Sequence, residues 1–164
     1  MENYIVINGK KAELTKEQLE KLGIKPERNN PFNRASFGGN YFIAREDGTV
    51  GSRIATSHDN DTWYYDNVAY FNDKGFAEQM SLKWLLNRKL EKYAWDNKAE
   101  DKEWDCNNGH FFIYYDYVDN GFDIDALKFR KYHNAVYFSN RKVAENAIKD
   151  VIEPFMEEHP NFKW

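Results

Sequence analysis

Two stretches of this chain match each other, and a duplication constrains the fold more tightly than any single motif, because both copies should adopt the same supersecondary unit. Asn67-Val68-Ala69-Tyr70-Phe71 matches Asn134-Ala135-Val136-Tyr137-Phe138, and the match runs on into Lys74-Gly75-Phe76-Ala77-Glu78 against Arg141-Lys142-Val143-Ala144-Glu145. Five of the twelve residues from Asn67 to Glu78 equal their counterparts, at an offset of 67. Upstream, Gly39-Asn40-Tyr41-Phe42-Ile43 aligns with Gly109-His110-Phe111-Phe112-Ile113 at an offset of 70, a difference that loop lengths absorb. Asp47-Gly48 and Asn120-Gly121 follow these blocks, and both dipeptides favour the positive φ of hairpin turns.

Each copy therefore reads as three short antiparallel strands and a helix. The expected fold class is α+β: two tandem βββα repeats, one sheet and one helix each, after an N-terminal β-hairpin and short helix. Strands are expected at Tyr41 to Glu46, Thr49 to Thr56 and Val68 to Phe71, then at Phe111 to Val118, Phe122 to Phe129 and Ala135 to Phe138. Asn72 or Asp73, and Ser139 or Asn140, are positioned to cap the helices. The second helix, Arg141 to Glu158, carries Val143, Ala147, Ile148, Val151, Ile152 and Phe155 as one stripe, and Pro154 should kink or shorten it. The first, Lys74 to Trp95, is apolar nearly all round. It should lie centrally, between the two sheets or against a second copy, which makes a homodimer an expectation.

Ahead of the repeats, Tyr4-Ile5-Val6-Ile7, Asn8-Gly9 and Lys10 to Leu14 read as a hairpin. Thr15-Lys16-Glu17-Gln18 has the form of a capping box opening a helix that stops near Gly23. The organisation is thus 1–24 hairpin and helix, 25–38 linker, 39–97 first repeat, 98–108 acidic linker and 109–164 second repeat. Aromatic residues make up 17% of the 164 residues, enough for a folded core. The apolar runs are of strand length, and Met1-Glu2-Asn3 does not open a signal peptide. With the single cysteine, Cys106, these features lead us to expect a cytoplasmic protein without a membrane segment.

The four histidines, His58, His110, His133 and His159, form no metal-binding spacing, and the usual phosphate-loop and nucleophile motifs do not occur. No metal, no cofactor and no catalytic site are expected. Asp59, Asp61 and Asp66, interspersed with Asn60 and Thr62, read as a polar loop. Two surfaces remain. Leu127 to Tyr132 interleaves cations and aromatics on a continuing strand, whose alternation would place Lys128, Arg130 and Tyr132 on one face and Phe129 in the core. Together with Arg141 these are candidates for nucleic-acid binding, and the strand-rich, duplicated unit is similar to PUR-type and whirly single-strand binders. The opposite charge gathers at Asp116, Asp119, Asp123 and Asp125 around the Asn120-Gly121 turn. With Asp59, Asp61 and the neighbouring Trp63, the residues Asp116, Asp119 and Asp123 are candidates for binding a basic partner protein.

The opening Asn8 to Gly23 segment, the Tyr-Phe and Asp-Gly pairs, and Asn-Val-Ala-Tyr-Phe leading into an Ala-Glu helix together resemble small proteins encoded by phages and prophages of low-GC Gram-positive bacteria. The resemblance spans most of the chain, and its motifs are structural. It implies a phage-encoded, non-enzymatic inhibitor of a host defence nuclease or other nucleic-acid-handling protein, of the anti-CRISPR or anti-defence kind, acting in the host cytoplasm. The alternatives are a single-stranded nucleic-acid-binding accessory protein, or a sponge for a signalling nucleotide. The last needs cations and aromatics converging on a pocket.

Overall fold

The computed structural model describes residues 4–7, 10–15, 18, 21–22, 30–56, 59–101 and 103–164. The elements run β1 (Tyr4–Ile7), β2 (Lys10–Glu13), β3 (Asn40–Ala44), β4 (Val50–Ile54), α1 (Asp59–Asp66), β5 (Tyr70–Phe71), α2 (Lys74–Asp96), β6 (His110–Asp116), β7 (Gly121–Leu127), β8 (Tyr137–Phe138) and α3 (Arg141–Ala147). A π-helical turn (Ile148–Ile152) then leads into α4 (Glu153–Glu158). The architecture is α+β, with three antiparallel sheets ordered β1-β2, β4-β3-β5 and β7-β6-β8. The second and third sheets share one topology and are each followed by a helix, as two tandem βββα units require.

At the N-terminus, Tyr4 pairs with Glu13 and Ile7 with Lys10. The Thr15 amide donates to Gln18 Oε1 at 2.9 Å and the Gln18 amide to Thr15 Oγ1 at 3.3 Å, so the capping box is reciprocal. The Asn8-Gly9 turn, the helix end at Gly23, linker residues 25–29 and His58 lie outside the described residues.

Pairing inside the sheets corrects the alignment of the two copies. Phe42 faces Phe71 and Ile43 faces Tyr70, whereas Phe111 faces Phe138 and Phe112 faces Tyr137. Phe42 is thus the counterpart of Phe111, at an offset of 69. A one-residue slip exchanges the faces of a strand. In the corrected register Tyr41, Ile43 and Ala44 coincide with His110, Phe112 and Ile113, and all six are buried. Neither hairpin closes as a two-residue turn. The first joins Ala44 and Val50 through residues 45–49 with Gly48 at φ +86°, and the second joins Asp116 and Gly121 through 117–120 with Asn120 at φ +50°.

Two further expectations fail locally. Residues 59–66 form the helix α1, so the first unit has an element that the second lacks. The strand that was to reach Phe129 ends at Leu127, and Phe129 is 82% exposed instead of buried in the core. Beyond Leu127 the chain is irregular, so strand alternation says nothing about Lys128, Arg130 and Tyr132.

The long helix α2 ties the units together. Asp73 caps it, accepting from the Phe76 amide at 2.8 Å, and Asn140 occupies the matching place before α3. Its first half seats on the first sheet: Ala77 packs with Ala44 and Phe71, with Met80 and Trp84 alongside. Ser81, fully buried, lies 2.5 Å from the Arg45 carbonyl oxygen and 2.9 Å from that of Thr49, so one hydroxyl proton serves both ends of the β3–β4 loop. Arg88 donates to the Glu46 carbonyl from the same side. Its second half enters the other core, where Leu86, Leu90 and Ala94 meet Ile113, Ile124, Phe138 and Ile152. Burying each leucine contributes about 1.5–3 kcal/mol. Much of the apolar circumference of α2 thus packs within one chain, while Trp95 is 58% exposed.

Pro154 does not end the last helix. The wider turn before it carries a bond from the Glu153 amide to the Ile148 carbonyl, an i to i+5 step that absorbs the mismatch next to the missing Pro154 donor. Tyr93 of α2 donates to Asp150 in this turn at 2.5 Å, which pushes its phenol up to about 12. Downstream, Gln79 accepts from the Lys163 amide and donates to the Asn161 carbonyl, so the tail is docked and Trp164 sets its ring edge-on to Phe122.

The seam between α2 and the β3–β4 loop yields a paired prediction. A methyl on Gly48 would sit 2.8 Å from Leu85 Cδ2, while one on Gly38, also at positive φ, would meet nothing within 4 Å. Gly38→Ala should lose only the backbone term, about 1–2 kcal/mol, and Gly48→Ala a further ~1–3 kcal/mol from overpacking. Urea unfolding of both variants checks the order, and equal losses would mean that Leu85 yields freely.

Candidate functional site

The outer face of each three-stranded sheet holds a buried polar cluster. In each central strand the residue at the equivalent position, Tyr41 or His110, is buried and polar, and each is satisfied by a carboxylate from a segment lying over the sheet.

In the first unit that segment is α1. Asp61 accepts from the Tyr41 hydroxyl at 2.6 Å, from the Thr56 amide at 2.5 Å and from Thr56 Oγ1 at 3.0 Å. Burial and this carboxylate together drive the Tyr41 phenol far above its ordinary range. Tyr41 and Tyr70 stack at 4.0 Å beneath Tyr64 and Tyr65. Asp61 is thus a fastening of α1. Asp59 and Trp63 are exposed on the same helix, Trp63 at 59%, and cations lie close: Arg34 bonds Thr62 and sits 4.6 Å above Tyr65, and Arg53 sits over Tyr64.

In the second unit the cover is the stretch expected as an acidic linker. Ala99 is fully buried and accepts from the Ser139 amide, and Glu100 bridges to Phe138. Trp104 lies flat on His110, ring centroids 3.8 Å apart, and donates to the Lys128 carbonyl. His110 Nδ1 is 2.7 Å from Asp101 Oδ1, and Nε2 is 2.7 Å from the Asp105 carbonyl oxygen. Acceptors on both sides favour the doubly protonated, cationic ring. Burial lowers its proton affinity, yet the bonds to Asp105 and Asp101 outweigh this and leave the pKa above the ordinary 6.5. A histidine beside a carboxylate has the makings of a general base, but this one is 2% exposed under an indole with both nitrogens occupied, an arrangement that serves structure.

Each candidate nucleic-acid residue has a contact within the chain, and all four remain solvent-exposed. Lys128 Nζ donates to the Asn107 carbonyl, Arg130 lies 5.8 Å from the Tyr132 ring, Tyr132 sets its edge to Phe112, and Arg141 pairs with Glu145. Lys131, close to both Trp104 and Tyr137, holds the loop on the aromatic layer.

The β6–β7 tip differs. Asp116 accepts from the Val118 amide at 2.7 Å and shapes the loop, and Asp123 accepts from the Tyr114 hydroxyl at 3.2 Å. Among the described residues no cation pairs with Asp116, Asp119, Asp123 or Asp125. Between them Tyr117 is 75% and Val118 88% exposed. This tip shares no hydrogen bond or ring contact with Asp59, Asp61 or Trp63, so the six candidates divide between two units.

No group of three metal-ligating side chains gathers among the described residues, and no helix there is long and apolar enough to cross a membrane. No family model, curated protein or solved structure matches this chain.

The pair His110–Asp101 escapes sequence reading. Only the corrected repeat register, which aligns His110 with the buried Tyr41, would have pointed to it. Its raised pKa sets a sign. The stabilisation is fully present below the ordinary imidazole value and is lost as pH rises through the raised one. Chemical denaturation midpoints of the native chain should fall from mildly acidic to mildly alkaline pH, and His110→Gln should lower the acidic midpoint and flatten the profile. An unchanged slope in the variant would assign the pH dependence elsewhere. Asp61→Ala, which leaves the Tyr41 and Thr56 donors unmatched, should cost roughly 2–4 kcal/mol in the same measurement.

Proposed function

We propose that this protein is a non-enzymatic binding protein that engages a basic surface of a nucleic-acid-handling protein through the β6–β7 tip. The observation that carries the reading is the contrast between the two charged ends of β7. After Leu127, Lys128 meets a carbonyl and Lys131 two aromatic rings of the same chain, and exposed Arg130 has a 5.8 Å ring contact, whereas the carboxylates around residues 117–120 have no cationic partner among the described residues and surround an exposed Tyr117 and Val118. Complementary charge steers association and fixes register, and an aromatic residue in the centre of such a patch supplies desolvated contact area.

The resemblance to phage and prophage proteins supports placing that partner among host defence nucleases, with the chain acting as an anti-defence inhibitor in the cytoplasm. Asp59 and Trp63 belong to a separate surface, and the tip residues Asp116, Asp119 and Asp123 form the proposed contact.

The test is capture from nuclease-treated lysate of a Gram-positive host, run beside oligonucleotide binding at low salt. Asp119 and Asp123 are the informative positions, since Asp116 also shapes the loop. Recovery of a nucleic-acid-handling protein that falls at least tenfold with Asp119→Lys/Asp123→Lys supports the reading. Salt-sensitive oligonucleotide binding that is lost in Lys128→Glu/Arg130→Glu, with nothing retained after nuclease, would replace it with single-strand binding.

A further inference from the structure

A cavity of about 460 Å³ opens between α2, the end of β6, the loop before β8 and the docked tail. Its origin is topological. β8 pairs only with Phe111 and Phe112, so the edge of β6 beyond Phe112 has no neighbour on that side, and the space there is bounded by side chains instead of a strand. The α2 wall presents Lys83, Leu86, Asn87 and Leu90, spaced as one helix face. Phe138 and Phe162, both buried, and Val136 complete an apolar interior.

The polar groups are few, and besides the Tyr114 and Tyr132 hydroxyls they include one cation and no acid. Lys83, Asn87, His133 and Asn134 contribute to the lining, and among the described residues their side chains have no hydrogen bond or ion pair. No Asp or Glu lines the cavity, although the chain carries 27 of them and a net charge of −4. An apolar interior with a few convergent donors, one of them a cation, is the composition of a small-molecule site. A cation with no acid beside it favours an anionic head, and the apolar lining favours a hydrocarbon or aryl body. At about 30 Å³ of liquid volume per water-sized group, the space holds roughly 15 non-hydrogen atoms.

We propose that this cavity binds an apolar organic carboxylate, its body against Tyr132, Val136 and Trp164, which are partly exposed, and its head at Lys83. The site contains none of the tip aspartates, so it stands or falls apart from the protein-binding reading.

Decanoate is a probe of suitable size, with decanol and decyltrimethylammonium as neutral and cationic counterparts, followed by titration calorimetry on the full chain. Decanoate should bind saturably at one equivalent, more tightly than decanol, with the cationic analogue weakest. Lys83→Glu, an exposed change that leaves the core intact, should weaken decanoate roughly three- to tenfold and remove its advantage over decanol. Ala135→Trp, which fills the cavity, should abolish binding while the variant still unfolds cooperatively. Absence of saturable binding below the self-association threshold of decanoate overturns the proposal. So does binding that Lys83→Glu leaves unchanged, since the surface substitution keeps the test valid even where the Trp variant fails to fold.

Discussion

Everything in this molecule depends on one helix having to serve two sheets. α2 follows β5 by only two residues, which places its first half on the first sheet, and its 23 residues carry it into the second core. At the usual 1.5 Å rise per residue it spans roughly 35 Å, more than a three-stranded sheet of short strands can cover. Neither half could be left bare without exposing a stripe of Leu, Trp and Met. The same side chains therefore supply a large share of both hydrophobic cores, Ala77 and Met80 in one and Leu86 and Leu90 in the other, so loss of α2 removes the support of both sheets at once. The close approach at Gly48 and the shared hydroxyl of Ser81 fix the rotation of the helix about its axis. That rotation decides which residues, Lys83 and Asn87 among them, face the cavity.

A second constraint recurs in both copies. A polar ring at the same place in the central strand, phenol in one and imidazole in the other, must be matched once the outer face of the sheet is covered, because an unmatched buried donor costs about 1–3 kcal/mol. The first copy answers with Asp61 from an inserted helix, the second with Asp101 from a strap crowned by Trp104. Different covers thus meet one requirement. The first is bonded neutral phenol to carboxylate; the second is a buried ion pair, whose strength follows the proton on His110. The outer layer of the second unit is thereby coupled to the protonation of His110.

What the chain discloses in its sequence is what local chemistry decides. The hairpins, the Asp73 and Asn140 caps and the capping box at Thr15 were readable because each is settled by residues within a few positions of one another. α1 was not, since Asp59 to Asp66 has no buried residue and no apolar stripe, and its helix is anchored from outside by Tyr41 and Thr56. The offset of 70 arose from matching Ile43 to Ile113, whereas the sheet matches Ile43 to Phe112, a substitution of one large apolar residue for another that sequence identity cannot score. Phe129 was assigned to the core because strand alternation was extended past Leu127, where pairing with β6 has already run out at His110. Of the candidate site, the acidic tip was legible from its turn, but the occupancy of Asp61, Lys128 and Arg141 depended on partners brought up by the fold.

That occupancy is also what gives the two ends of β7 different thermodynamic roles. Cations held by carbonyls and ring faces would have to surrender those contacts before meeting phosphates, and each surrender subtracts from the affinity gained. Carboxylates crowded without a cation are in the reverse position. A basic partner would meet them without first displacing an internal cation. A partner that bound there would stabilise the second unit by mass action, and high salt would screen the attraction. The acidic residue Asp101, by contrast, is folded into the protein against His110.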